Sequence, residues 1–278
     1  MIGIFHTVSH ECSRITTERY STSFSSAIRL LKQEIRGPIY DIYGLVRFAD
    51  EIVDTFHRED KAELLADFKK QTFEAIQRGI SLNPILHSFQ RTVNRYNIDL
   101  GLIEAFFKSM EFDLDKSKYD PSGYAEYIYG SAEVVGLMCL YVFCDGNKEQ
   151  YEALRPSAQS LGAAFQKVNF LRDVKADYQQ LNRVYFPGVD FNSFTPEMKA
   201  AIEEDIAQDF RHAYEGIVQL PLSARFGVYL AYKYYLSLFK KIKAVQPQRI
   251  LEERIRIPDY HKAWVATKAV IRTQLGML

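Results

Sequence analysis

Proline and glycine cut this chain into pieces of helical length, and almost nothing between the cuts alternates with the two-residue period of a strand. The breaks fall at Gly37-Pro38, Asn83-Pro84, Asp120-Pro121, Pro187-Gly188, Thr195-Pro196, Pro221, Pro247 and Pro258. Asp120 before Pro121, and Thr195 before Pro196-Glu197, each set a capping side chain ahead of a first-turn proline, which marks a helix start. The one strand-like piece, RVYFPGVDF at 183–191, sits between a helical pattern and a proline and reads as loop. No internal repeat, low-complexity stretch or long flexible linker appears. The expectation is one all-α domain over residues 1–278, built from about ten helices.

Charge and composition narrow the function classes. Lysine plus arginine and aspartate plus glutamate number 35 each, so no basic excess points to nucleic acid or to an anionic membrane. Three cysteines (Cys12, Cys139, Cys144) without a CxxC pair suggest neither a disulfide framework nor a zinc site and fit a reducing cytoplasm. The opening MIGIFHTVSH lacks a cationic segment followed by an apolar run, so no signal peptide is expected. The apolar run VVGLMCLYVFC at 134–144 falls short of the roughly 20 residues that a bilayer-spanning helix needs. Against one Trp stand 19 Phe and 18 Tyr, enough to fill a core or to line a large apolar cavity.

YGLVRFADEIVD, residues 43–54, sets charge beside a core face. At about 100° per residue, Tyr43, Arg47, Asp50 and Asp54 share an arc of roughly 60°. Ile42, Leu45, Val46, Ala49, Ile52, Val53 and Phe56 fill the neighbouring apolar arc, while Glu51 points away as a solvated side chain. Asp50 and Asp54 lie four apart, with Cβ atoms about 5–6 Å apart. Two carboxylates so close repel, and one is driven toward protonation unless a cation intervenes. Oxygen-only ligands suit Mg²⁺, which binds through one or two carboxylates together with substrate phosphates. A solvated face is the competing reading of any such pair. Asp205 and Asp209 in EEDIAQDF have the same spacing on a charged amphipathic helix, and there the wet face is expected.

A second stripe in QKVNFLRDVKAD, 166–177, changes the balance. Asn169, Asp173 and Asp177 run at i, i+4 and i+8 along one face, flanked by Gln166 and Arg172 at about 60° on either side. Gly162, one turn earlier, leaves room for something to approach the backbone. Two such helices facing each other would hold a diphosphate through Mg²⁺ ions and two arginines, which suits ionisation of a diphosphate ester. Aromatic walls would house a hydrocarbon and shelter a carbocation.

From about residue 15 to 270 the chain resembles the squalene/phytoene synthases. The resemblance rests on YSTSF at 20–24, on Tyr43-Arg47-Asp50-Asp54 and on MEFDLDKSKY followed by YIYGSAEVVGLM (127–138). It rests as well on Asn169-Arg172-Asp173-Asp177 and NRVYFP at 182–187. It implies an isoprenoid-synthase-like helical bundle around a central apolar cavity. It also implies head-to-head condensation of two prenyl diphosphates through a cyclopropylcarbinyl diphosphate. Asp50, Asp54, Asp173, Asp177 and Asn169 would hold Mg²⁺, with Mn²⁺ a substitute. Ser21, Arg47, Gln166, Asn169 and Arg172 would contact diphosphate or metal, and Tyr43, Phe24 and Tyr129 would border the cation. Ser21 also suits a plain helix cap, and Tyr129 a core position. Ala176 stands where the family often has Glu. Phytoene formation from geranylgeranyl diphosphate without NADPH is the first expectation, and squalene or dehydrosqualene formation from farnesyl diphosphate is the second. A terpene cyclase fits the paired motifs poorly, and a non-catalytic helical assembly factor fits the intact aspartates poorly. His6 and His10 lie in an unpatterned N-terminus and make no metal spacing. A cytoplasmic protein with reversible, apolar contact at a membrane surface is expected, its oligomeric state open.

Overall fold

In a computed structural model, residues 2–56, 60–115, 119–181, 184–189, 191–258 and 265 are described, and no strand occurs among them. The helices are α1 (Ile2–Tyr20), α2 (Thr22–Ile28), α3 (Gln33–Asp50), α4 (Lys61–Arg78), α5 (Pro84–Tyr96) and α6 (Leu100–Asp115). They continue as α7 (Pro121–Ile128), α8 (Val134–Cys144), α9 (Lys148–Leu181), α10 (Pro196–Ile217), α11 (Leu222–Lys243) and α12 (Pro247–Glu252). Two π-turns, Glu51–Thr55 and Tyr129–Glu133, extend α3 and join α7 to α8.

Local chemistry sets most boundaries. Asn83 caps α5 by accepting from the Ile85 and Leu86 amides, and Asp120 and Thr195 cap α7 and α10 as expected. The left-handed Gly79 (φ 70°) ends α4, a conformation that favours glycine. Gly37-Pro38 does not cut the chain. Pro38 lies inside α3, in its second turn, where it forgoes the helical hydrogen bond to the Glu34 carbonyl and the helix runs on past it.

The N-terminus is not unpatterned. It forms α1, whose buried face carries Ser9, Ser13 and Thr17 in place of apolar residues. Ser9 and Thr17 donate to carbonyls one turn back, and Ser13 pairs with Ser88 of α5 at 2.8 Å. His6 Nδ1 lies 2.8 Å from His87 Nε2, and His10 Nδ1 lies 2.8 Å from the buried Asp41 carboxylate. These contacts bind α1 to α3 and α5 through polar groups, which a search for hydrophobic periodicity does not register.

The apolar run at 134–144 belongs to a longer element than expected. α7, its π-turn and α8 make one helix over Pro121–Cys144, long and apolar enough by composition to cross a membrane. Here it is a core helix packed against α3, α6 and α9, which explains why α8 is apolar all round. The 34-residue α9 runs through the centre, against α8 on one side and α10 on the other. Two apolar clusters result, one of α3–α6 and α8, the other of α9–α11 with Tyr119, Tyr127, Tyr185 and Phe186. Residues 184–189 form a turn, in agreement with the loop reading, while Asn182 and Arg183 of the NRVYFP motif lie outside the described residues.

Candidate active site

Between the two clusters lies a cavity of about 730 Å³, walled by α1, α2, α3, α6, α7, α8, α9, α10 and α11. Its mouth is polar and its depth apolar. Asp50, Asp54, Arg47, Gln166, Asn169, Arg172, Asp173 and Asp177 all line it, so the two acidic stripes share one cavity. Ser21, Phe24 and Tyr43 line it as well.

The first stripe differs in detail from its helical wheel. Glu51 is not a solvated side chain: it accepts a hydrogen bond from Arg47 Nη2 and is only 15% exposed. Arg47 therefore has an acidic partner inside its own stretch, and its Nη1 lies 3.7 Å from Asp50 Oδ2. Its guanidinium also sits 4.3 Å from the Tyr20 ring centroid, while its buried Nε has no hydrogen-bond partner. The π-turn begins just after Asp50 and closes with Phe56 N–H donating to Glu51 O at 3.1 Å. The extra residue in this turn rotates the chain beyond it, and Phe56, expected on the buried arc, is 41% exposed. Asp50 keeps 32% of its side-chain surface, and that surface opens on the cavity. Burial first, then the Asp54 carboxylate, push Asp50 up to about 8, against the pull of Arg47.

On the second stripe Asp173 receives two guanidinium groups. Arg172 donates to it from Nε at 3.0 Å and from Nη2 at 2.5 Å, and Arg254 Nε approaches at 2.7 Å. Tyr235 Oη donates to Asn169 Oδ1 at 3.4 Å, which aims the amide into the cavity. Gly162 does leave room for an approaching backbone, that of the second π-turn: a Cβ there would meet Ala132 O at 2.7 Å. The wet face holds for Asp205, which is 54% exposed, but not for Asp209, which is 19% exposed. Both accept from Lys167 Nζ, at 2.6 and 2.8 Å, and Lys167 is 8% exposed on the side of α9 turned to α10.

Aromatic rings cover the walls beside the carboxylates. Phe24, Tyr43, Phe165 and Tyr235 form one group, with Phe165 and Tyr235 stacked at 3.9 Å. Tyr127, Phe170 and Tyr185, also lining residues, form a second stack. Burial raises Tyr43 to about 12 and Tyr127 well above 10, so both hydroxyls stay protonated. Tyr129 does not line the cavity; it packs half-buried against the α3–α8 cluster. Tyr127, two residues earlier, lines it and donates to Asp113 Oδ2 at 2.8 Å. Ser21 caps α2 through the Phe24 amide at 3.1 Å, as the plain-cap reading expects, and it also lines the cavity.

Arg254, Asp113, Tyr127, Phe165 and Tyr235 are lining residues that the sequence did not single out. Asp113 belongs to the MEFDLDKSKY motif, while Arg254 comes after α12 in a segment with no periodicity to mark it.

Among the described residues no group of three or more His, Cys, Asp or Glu side chains converges as a metal site. The donor set is two separated carboxylate pairs plus an amide oxygen, all hard oxygen. Such pairs fit Mg²⁺ ions whose coordination is completed by water and diphosphate oxygens. The crowded charge on Asp50, the orphan Nε of Arg47 and the two arginines at Asp173 fit an incoming polyanion with its cations. Asp50, Asp54, Asn169, Asp173 and Asp177 would hold the ions. When bound, Mg²⁺ supplies positive charge to a departing diphosphate.

The sequence profile described as squalene/phytoene synthase matches residues 17–261. Phytoene synthase 3, chloroplastic, of Zea mays is 27% identical over 284 residues, covering 95% of this chain and 66% of that protein. The chain spans just under two thirds of the length of the plant relatives. A phytoene synthase of Arthrospira platensis is 24% identical over 292 residues, covering 96% of this chain and 94% of its own. Among solved structures, a dehydrosqualene synthase in complex with a ligand superposes with a TM-score of 0.84 at 17% identity, over 98% of each chain. With the profile covering most of its length, and with both acidic motifs on one cavity, this chain belongs to the squalene/phytoene synthase family.

Proposed function

We propose that the protein is a prenyltransferase that joins two prenyl diphosphates head to head, converting geranylgeranyl diphosphate to phytoene by way of a cyclopropylcarbinyl diphosphate. The observation that carries this reading is the convergence of two acidic stripes and three arginines at the mouth of one long aromatic-walled cavity. Arg47, Arg172 and Arg254 bind diphosphate oxygens as it departs, by charge-assisted hydrogen bonds. The allylic cation left behind faces the Phe24–Tyr43–Phe165–Tyr235 rings, whose electron-rich faces stabilise it. The second substrate's double bond attacks that cation, and a proton leaves to give the cyclopropane. The second ionisation and rearrangement end in proton loss, so no reductant is consumed and NADPH is not required. The apolar depth excludes water that would quench either cation.

Mg²⁺, with Mn²⁺ as substitute, is the proposed cofactor, held by Asp50, Asp54, Asn169, Asp173 and Asp177. Squalene or dehydrosqualene formation from farnesyl diphosphate is the second reading, favoured by the close superposition on a dehydrosqualene synthase. We further propose a cytoplasmic location with reversible apolar membrane contact, through the exposed Tyr20 at the cavity and the exposed Phe48 and Phe56 next in sequence to the first acidic stripe. Incubation with Mg²⁺ and C15 or C20 diphosphate, with and without NADPH, and identification of the hydrocarbon test the assignment. Phytoene from the C20 substrate without NADPH is expected. Strict NADPH dependence, or use of C15 alone, would transfer the assignment to the second reading.

A further inference from the structure

We propose that the His6–His87 pair is a proton-operated clasp: with both rings neutral it holds the first half of α1 on α5, and proton uptake releases that half. Neither residue lines the cavity, so the device lies outside the candidate active site.

Hydrogen bonding fixes where the protons sit. The Ser81 amide, in the turn from α4 to α5, donates to His87 Nδ1 at 3.3 Å. That nitrogen therefore presents a lone pair, and in the neutral ring the proton is on Nε2. His87 Nε2 lies 2.8 Å from His6 Nδ1, with the ring planes 8° apart, so the Nε2–H donates and His6 Nδ1 accepts. A further proton on His6 must go to Nδ1, where it meets the His87 N–H. A further proton on His87 must go to its own Nδ1, where it meets the Ser81 N–H. Switching the His87 tautomer to receive a charged His6 runs into the same Ser81 N–H. Each route sets donor against donor, and His87 is fully buried, so the unpaired N–H has no water to turn to.

The surrounding charges act in the same sense. Burial first, then the Arg91 guanidinium of α5 and His10 of α1, lower His6 below its ordinary 6.5. Burial first, then His6, Arg91 and His10, lower His87, while Asp41 of α3 pulls the other way. The docked helix thus binds fewer protons than the released one. Docking is complete above about pH 6.5 and is lost as the pH falls below it. His10 behaves differently. Its partner is the buried Asp41 carboxylate, which also accepts from Thr92 Oγ1 at 2.7 Å, so a proton on His10 strengthens that contact. Release therefore stops at His10, and Tyr20 and Ser21 keep their places at the cavity. The freed turns carry Ile2, Ile4 and Phe5, whose ring centroid lies 4.6 Å from that of His87, so the acid form presents an apolar segment.

Amide exchange of the intact protein from pH 7.5 to 5.5, corrected for the intrinsic rate, tests the clasp. The amides of residues 6–10 are the first in α1 with intrahelical acceptors. They should lose protection by about tenfold per pH unit below 6.5 for each proton taken up, while residues 14–20 stay level. His6→Asn keeps an acceptor toward His87 and binds no proton, so it should reduce the loss at pH 5.5 by about tenfold. Nitrogen-15 imidazole spectra of the wild type at pH 7.5, which need no variant, should show His87 neutral with its proton on Nε2. A flat profile at residues 6–10, an equal loss along the whole of α1, or a folded His6→Asn with the wild-type slope overturns the proposal. A His87 proton on Nδ1 overturns it as well.

Discussion

Asp50 concentrates the electrostatics of the mouth. Burial and the Asp54 carboxylate hold it up near 8, so below that pH the metal-free side chain keeps a proton that Mg²⁺ must displace. Mg²⁺ affinity should therefore climb with pH from 6 toward 8, by up to about tenfold per unit, and flatten above. Calorimetric titration of the substrate-free protein with Mg²⁺ across that range checks this, and a flat profile would contradict it. Asp50→Asn should abolish the slope and, like Asp173→Asn, remove most turnover with the fold intact. At this scale the sequence displayed the stripes because acid at i and i+4 beside an apolar arc is unusual. It hid Glu51, because the wheel turned that side chain outward while Arg47 bends back to meet it. It also misplaced one tyrosine: Tyr127 and Tyr129 flank the start of a π-turn, and only the packing shows which ring faces the lumen.

At the scale of elements, α9 carries more than half of the proposed metal-binding side chains, and its position depends on neighbours on both sides. Toward α10 it is tied by Lys167 to Asp205 and Asp209. Asp209 is 19% exposed and Asp205 54%, so the two bonds differ in worth. Asp209→Asn should cost about 2 kcal/mol, since it strips a partner from a buried cation, and Asp205→Asn about 0.5 kcal/mol. Urea unfolding of the two variants gives the order directly. Toward the second π-turn, Gly162 lies against Ala132 O and Glu133 Cα, backbone that has no rotamer to change. Gly162→Ala should therefore destabilise by about 1–3 kcal/mol and reduce turnover, because Gln166 and Asn169 lie on the next turns of the same helix. Thermal melts paired with rates at saturating substrate would show both effects. Helix positions were legible where caps and prolines stood, as at Asn83, Asp120 and Thr195. The π-turns and α1 were not, because a one-residue register slip leaves no pattern and a Ser/Thr face looks polar in sequence.

For the whole molecule, the fold class and the pairing of the two motifs were legible from residues alone, since ten or so capped helical segments and no strand pattern admit little else. The depth and floor of the cavity depend on how nine helices converge, which no single stretch encodes. The proposed hydrocarbon product would have no ready exit into water, each CH₂ group costing about 0.8 kcal/mol to expose. With 35 charges of each sign, release should proceed through apolar contact at the mouth. Binding to liposomes should then change little between low and high salt or with anionic lipid content, and a steep loss with salt would contradict that route. The central claim is a joining of two diphosphate esters in one cavity, and the stoichiometry of its products tests it most directly. With purified protein, Mg²⁺ and C20 diphosphate, inorganic diphosphate and hydrocarbon are to be counted in the same reaction. Two diphosphates released for each C40 hydrocarbon is the predicted result; one diphosphate per C20 hydrocarbon, the signature of a cyclase, or no release at all, would contradict it.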